Sequence, residues 1–169
     1  MWRSDQRKHM KWGLGLKSGI AAGSVYGLLA GFVSLAIVVL MREEIIKQIQ
    51  AQFAKLPYEI PVTAEDVYPV TLAMSVPGSV IGGLIVGGIL GIVFLLLHDQ
   101  LPGRDPARKG LCFSLLMIAG TGLAEMVSPG AGLPLIMIQT SFLGFTPVNI
   151  LLFLMFGYLL GRFYAKFGK

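Results

Sequence analysis

The sequence has one cysteine, two histidines and few charged residues, and each shortage excludes a class of protein. Cys112 alone cannot form an internal disulfide, and no cysteine or histidine cluster has the spacing of a metal site. The catalytic motifs HExxH and GxSxG and the phosphate-binding P-loop are missing as well. Neither His9 nor His98 lies within an apolar interior, where it could act as a base. This inventory predicts a protein that is not an enzyme and that holds no cofactor and no metal.

Charge is scarce along most of the chain. Charged residues make up 14% of the 169 residues and hydrophobic residues 54%, and the mean hydropathy is +0.73. This composition excludes a soluble globular protein and predicts an all-α integral membrane protein in the lipid bilayer. The formal net charge is +5, but the basic residues follow a membrane pattern, so we expect no nucleic-acid partner.

Four apolar stretches are long enough to cross a bilayer as helices, which requires roughly 20 residues each. The four predicted transmembrane helices cover residues 15–41, 64–98, 106–127 and 147–165. Proline in the first helical turn marks two of the starts, at Pro106 and Pro147, and Thr63 with Asp66 resembles a capping box at a third. The chain is therefore expected to form one four-helix domain over residues 15–165. A basic lead, 1–14, and a short tail, 166–169, flank it.

The first two helices are expected to extend outside the bilayer. Residues 42–56 keep helical spacing of apolar residues, with no proline before Pro57. The uncharged run 67–97 is longer than a single crossing needs, and Pro77 with Gly78 is the expected kink. Helices 1 and 2 therefore read as a long antiparallel hairpin. Whether residues 42–56 stand upright or lie on the membrane surface stays open.

The basic residues predict the orientation in the membrane. The lead, the turn 98–109 and the tail hold most of the 14 lysines and arginines, whereas the 128–145 loop holds none. By the positive-inside rule, both termini of this multi-pass protein are expected in the cytoplasm of the cell. No cleavage site follows the first apolar run, so we expect it to act as a signal anchor.

Glycine recurs at every fourth position in the first two apolar runs. The candidate helix-packing residues are Gly15, Gly19, Gly23, Gly27 and Gly31 in the first run, and Gly83, Gly87 and Gly91 in the second. Glycine costs about 1 kcal/mol relative to alanine in a water-exposed helix, whereas in lipid it lets another helix approach closely. The rows therefore predict close helix packing, within the chain or between copies. A smooth wall beside a substrate path is the alternative interpretation.

Glu125 is the only acidic or basic residue between positions 110 and 161. A carboxylate within a membrane is costly, and by default it is a candidate functional site. Three interpretations stay open for Glu125: a hydrated group near the end of helix 3, an ion or proton site, and a contact with a partner. The uncharged loop 128–145 is either re-entrant or an interface with a partner.

Other polar residues are assigned structural roles. His98 is predicted to be a solvated histidine that is favourable at the negative end of helix 2. Tyr26, Gln139 and Asn149 are expected to form hydrogen bonds across helices.

Two functions fit these patterns. The first is a non-catalytic structural or accessory subunit whose glycine rows pack against itself, as a homo-oligomer, or against a larger membrane complex. The second is a small transporter or channel for a proton, an ion or a small solute that uses Glu125.

Overall fold

The computed structural model describes residues 2–56, 61–127 and 147–168, with side chains from residue 12 onward except those of residues 121–127. All regular structure in these ranges is helical, which confirms the predicted all-α class. The helices are α1 (Trp2–Leu40), α2 (Arg42–Phe53), α3 (Ala64–Leu97), α4 (Pro106–Val127) and α5 (Pro147–Phe167). The predicted loop 128–145 lies outside the described residues.

In the described part of the chain, three helices are long and apolar enough to cross a membrane by length and composition. They are the Trp12–Leu40 part of α1, the whole of α3 and the whole of α5. Only 28%, 28% and 33% of their most apolar windows are buried inside the protein, so most of their apolar surface faces outward. Such a surface indicates a membrane protein, because lipid rather than water then meets the exposed side chains. Helix α4 is not among these three, so a fourth span stays a prediction.

The helix starts follow the local signals in the sequence. Thr63 Oγ1 accepts a hydrogen bond from the Asp66 backbone N–H at 3.3 Å, and the Asp66 carboxylate accepts one from the Thr63 N–H at 3.1 Å. This reciprocal pair is the predicted capping box. Pro106 and Pro147 are the first residues of α4 and α5, as predicted.

The first helix differs from the prediction at both ends. Helix α1 begins at Trp2, so the basic lead is helical, and it ends at Leu40. Met41 breaks the helix with φ −111° and ψ 34°, and α2 follows at once. Helix α2 then packs along α3: Ile45 is buried, and the Arg42 guanidinium lies 5.4 Å from the centroid of the Tyr68 ring. The hairpin therefore continues through α2 with a break at Met41.

The helices pack in the spatial order α3, α1, α5, α4, each antiparallel to its neighbour. The α1/α5 contact includes the Tyr26 ring, whose centroid lies 5.7 Å from those of Phe153 and Phe156. At one end, Phe94 of α3 reaches α4, with 5.5 Å between its ring centroid and that of Phe113. The buried core cluster consists of Ala22, Phe94, Leu101, Phe113, Phe156 and Leu160.

Candidate functional site

The glycine row of α1 lies directly against the backbone of α3. A Cβ atom added at Gly15 would lie 2.8 Å from the carbonyl oxygen of Gly91, and one at Gly19 would lie 2.8 Å from the Gly91 Cα. One at Gly23 would lie 2.9 Å from the Gly87 Cα. Apart from atoms of its own residue and its immediate surroundings in the helix, a real Cβ atom essentially never has another atom within 3.0 Å. These positions therefore require glycine at the observed helix separation.

The contact continues along the rest of the row. A Cβ atom at Gly27 would lie 2.9 Å from the Val80 Cα, and one at Gly31 would lie 2.9 Å from the Val76 Cα. From the other side, one at Gly83 would lie 2.9 Å from the Gly27 Cα. All eight candidate helix-packing glycines thus meet at this one interface inside a single chain. No space for a substrate path is left between α1 and α3 along the row.

A second close contact, which the sequence analysis missed, joins α4 to α5. A Cβ atom at Gly157 would lie 2.8 Å from the Ser114 Cβ, and one at Gly110 would lie 3.0 Å from the Gly161 backbone nitrogen. The buried Ser114 hydroxyl donates a hydrogen bond to the carbonyl oxygen of Phe153 at 2.8 Å. The available signal was a pair of small residues four positions apart on each helix: Gly110 with Ser114, and Gly157 with Gly161.

The prediction of a solvated His98 is wrong. Its side chain is only 18% exposed, and its ring centroid lies 4.6 Å from that of Tyr164 and 5.5 Å from that of Phe94. The turn after α3 holds the ring there, because Lys109 Nζ donates a hydrogen bond to the His98 carbonyl oxygen at 2.7 Å and Leu101 is buried. Nδ1 lies 3.3 Å from an Asp99 carboxylate oxygen. Nε2 is buried, with no hydrogen-bond partner among the described residues.

Of the remaining polar residues singled out from the sequence, some have described side chains and others do not. Glu125 belongs to the last turns of α4, but its side chain lies outside the described residues, as does Gln139. Asn149 is buried on α5 and has an interaction partner. In the described part of the chain, no group of three or more histidine, cysteine, aspartate or glutamate side chains could hold a metal ion.

One protein-family model matches residues 16–169 of the chain. The matched region includes every glycine of the two helix contacts except Gly15. The chain belongs to DUF6789, a family of unknown function. The DUF6789 match runs through all five helices, so the hairpin and the α4/α5 pair both lie within the family region. Comparisons with curated proteins and with solved structures find no match.

Proposed function

We propose that this protein is a non-catalytic structural or accessory subunit of a membrane assembly. The observation that carries the proposal is the backbone contact between α1 and α3, which commits both glycine rows to building one hairpin. A transport path or a catalytic cleft would need space and polar groups between helices. This interface leaves no such space, and its facing residues are glycines, two serines and the apolar Val76, Val80 and Leu95.

The proposed arrangement has four transmembrane helices with both termini in the cytoplasm. Helix α4 is the fourth span, because it runs antiparallel to α5 in close contact along its first half. The positive-inside rule supports the orientation, since the basic turn after α3 and the basic end of α5 lie at the same end as the start of α1.

The hairpin is proposed to extend beyond the outer membrane surface. Helix α3 has 34 residues, about 51 Å at 1.5 Å per residue, against a hydrocarbon core of about 30 Å. Helix α5 begins at Pro147, six positions before Phe153, which lies beside Tyr26 of α1. The end of α1, all of α2 and the start of α3 therefore reach past the first residue of α5.

The partner surface is proposed to be this extension together with the outward apolar faces. The two glycine rows pack against each other within the chain, so they are not available to a partner. A partner is therefore expected to contact residues outside these rows. The extension carries four acidic residues that are exposed, and they offer polar contacts to a partner. They are Glu43, Glu44, Glu65 and Asp66.

Native mass spectrometry of the C-terminally tagged protein, extracted in mild detergent from its own membrane, tests this function. The proposal predicts that the protein is detected in a complex, either with larger partners at fixed stoichiometry or as a defined homo-oligomer. It also predicts that the Gly83→Leu variant no longer forms this complex. Gly82→Leu is the matched control, because a Cβ atom at Gly82 meets nothing within 4 Å. A protein that emerges only as a monomer would contradict the proposal.

Transport is the second candidate, and the observation that favours it is Glu125. This residue is the only acidic or basic one between positions 110 and 161, and it lies in the apolar helix α4. A transporter predicts that Glu125→Gln abolishes proton or ion flux in liposomes while the protein remains folded. The accessory-subunit proposal predicts an intact assembly and no flux in either form.

A further inference from the structure

Six basic side chains lie at the end of the bundle where α3 leads into α4. We call this set the basic end: Lys17, Arg104, Arg108, Lys109, Arg162 and Lys166. All are exposed except Lys109, which is partly buried. The two described carboxylates at the same end are Asp99, which lies beside the His98 ring, and Asp105, which precedes α4.

Close packing brings these residues together from distant parts of the chain. A Cβ atom at Gly161 would lie 2.7 Å from the Ala107 Cα, so the turn that carries Arg162 adjoins the turn that carries Arg108. At the end of α5, one at Gly168 would lie 3.5 Å from a methyl carbon of Leu14, which places this part of α1 alongside. The two contacts therefore bring the start of α4, the end of α5 and the part of α1 around Leu14 to the same end of the bundle.

The described carboxylates form no ion pair with the cations of this surface. Among the described residues, Lys109 is the only one of the six whose charged group forms a hydrogen bond within the protein, to the His98 carbonyl oxygen. The Arg162 guanidinium lies 5.9 Å from the centroid of the half-exposed Tyr158 ring. The opposite end of the hairpin differs, since Lys47 pairs with Glu44 at 3.1 Å and Glu43, Glu65 and Asp66 are exposed at the same end.

We propose that the basic end binds the headgroups of anionic phospholipids. Arg108 and Lys109 lie in the first turn of α4, Arg162 and Lys166 in the last two turns of α5, and Lys17 near the start of the apolar span that begins at Trp12. The ends of such apolar spans lie at the phosphate layer of a bilayer. Arginine forks form paired hydrogen bonds to phosphate oxygens, and tyrosine is typical of this depth in a membrane. Clusters of four to eight basic residues beside a membrane span are typical of anionic-lipid recognition. This inference goes beyond the proposed function and requires only that the protein lies in a membrane.

Native mass spectrometry from nanodiscs of equal parts phosphatidylglycerol and phosphatidylcholine tests the proposal. The wild-type protein is expected to retain phosphatidylglycerol in several-fold excess. The triple variant R104Q/R108Q/R162Q is expected to approach equal retention, because each neutralised charge lowers the ratio by up to about fivefold. The matched control R42Q/K47Q/K55Q removes the same charge at the opposite end and is expected to behave as wild type. Equal losses in both variants, or an unchanged excess in the first, would overturn the proposal.

A second measurement needs no substitution and so does not depend on whether a variant folds. Raising the salt concentration before ejection is expected to lower the phosphatidylglycerol excess of the wild-type protein, because salt screens exposed charges. Inorganic phosphate at the same ionic strength is expected to have no additional effect, since the proposed ligand is a lipid headgroup held at the bilayer surface. An excess that is insensitive to salt would contradict the proposal, as would displacement by free phosphate alone. Neither result depends on whether the protein is an accessory subunit or a transporter.

Discussion

The two glycine contacts of this protein differ in length and in what faces each glycine. In the α1/α3 hairpin, glycines from Gly15 to Gly31 meet the backbone of α3 along most of a membrane crossing. Among the described residues of the α4/α5 pair, the close glycine contacts are those of Gly110, Gly157 and Gly161, and one of these glycines faces a serine side chain. The long row aligns two helices chiefly by backbone contact, with side-chain carbons of Leu95 and Ser79 joining only at Gly15 and Gly31. The short one is supplemented by a side-chain hydrogen bond from Ser114.

The largest expected effect is at the centre of the hairpin. Gly83→Leu places a side chain where the backbone of Gly23 and Gly27 already lies, so α1 and α3 must separate. A few added methylene groups in a packed core typically cost about 1–3 kcal/mol. We expect the free energy of unfolding to fall by more than that. Titration with a denaturing detergent, followed by circular dichroism, measures it.

The neighbouring Gly82→Leu is the control for that substitution. A side chain there enters open space, so its effect on the free energy of unfolding is expected to be near zero. Similar losses in the two variants would show that glycine at Gly83 is not needed for helix contact.

A smaller loss is expected at the α4/α5 contact. A Cβ atom at Gly157 meets the Ser114 side chain and the Gly110 carbonyl oxygen, but alanine adds a single carbon atom there, whereas leucine at position 83 adds a whole side chain. Gly157→Ala is therefore expected to cost about 1 kcal/mol, the low end for overpacking, in the same detergent titration. Gly120→Ala, which meets nothing, is the control on α4. If Gly157→Ala lowered the free energy of unfolding more than Gly83→Leu does, the α4/α5 contact would be the more important of the two, contrary to this account.

The Ser114 hydrogen bond in the α4/α5 contact is expected to contribute less to stability than Gly157 does. Ser114→Ala removes the donor to the Phe153 carbonyl oxygen, and hydrogen bonds between membrane helices average about 0.6 kcal/mol. The expected result is a small destabilisation with no change in helix content. An effect as large as that of Gly83→Leu would mean that the hydroxyl, rather than the glycines, holds α4 to α5.

The smallest effect is expected where the two helix pairs meet. His98 packs among Phe94 and Tyr164, and Nε2 has no partner among the described residues. His98→Phe keeps an aromatic ring in the cluster, and the Asp99 carboxylate that loses Nδ1 is 96% exposed, so water replaces that contact. The stability is expected to change by less than about 0.5 kcal/mol. Loss of assembly or flux in a fully folded His98→Phe protein would instead assign a chemical role to the imidazole.

The difference between the two contacts also explains what the sequence could predict. Five glycines at one spacing in a single apolar run are a strong local signal, so the residues of the hairpin row could be selected in advance. The same pattern cannot say whether a row meets its own chain or another copy. The α4/α5 contact was missed because Gly157 with Gly161 is only one small-residue pair, and such pairs are common in membrane helices.

Elsewhere too, features that depend on neighbouring residues in the sequence were predicted correctly, whereas a feature that depends on tertiary packing was not. The starts at Thr63, Pro106 and Pro147 depend on residues within one turn, and the helices begin there as predicted. The burial of His98 depends on Tyr164 and Lys109, which are brought to it only by the packing of α4 and α5. No pattern around position 98 contains that information.

Disulfide cross-linking of the hairpin tests the central claim most directly. In a Cys112→Ser background, Ile20→Cys is combined with Gly88→Cys, because a Cβ atom at Gly88 would lie 3.5 Å from a side-chain carbon of Ile20. Ile20→Cys with Gly82→Cys is the control. Oxidation in the native membrane, followed by mass analysis, is predicted to give a cross-link within one chain for the first pair and none for the second. A cross-link between two chains, or equal reactivity of both pairs, would contradict a glycine contact closed within the chain.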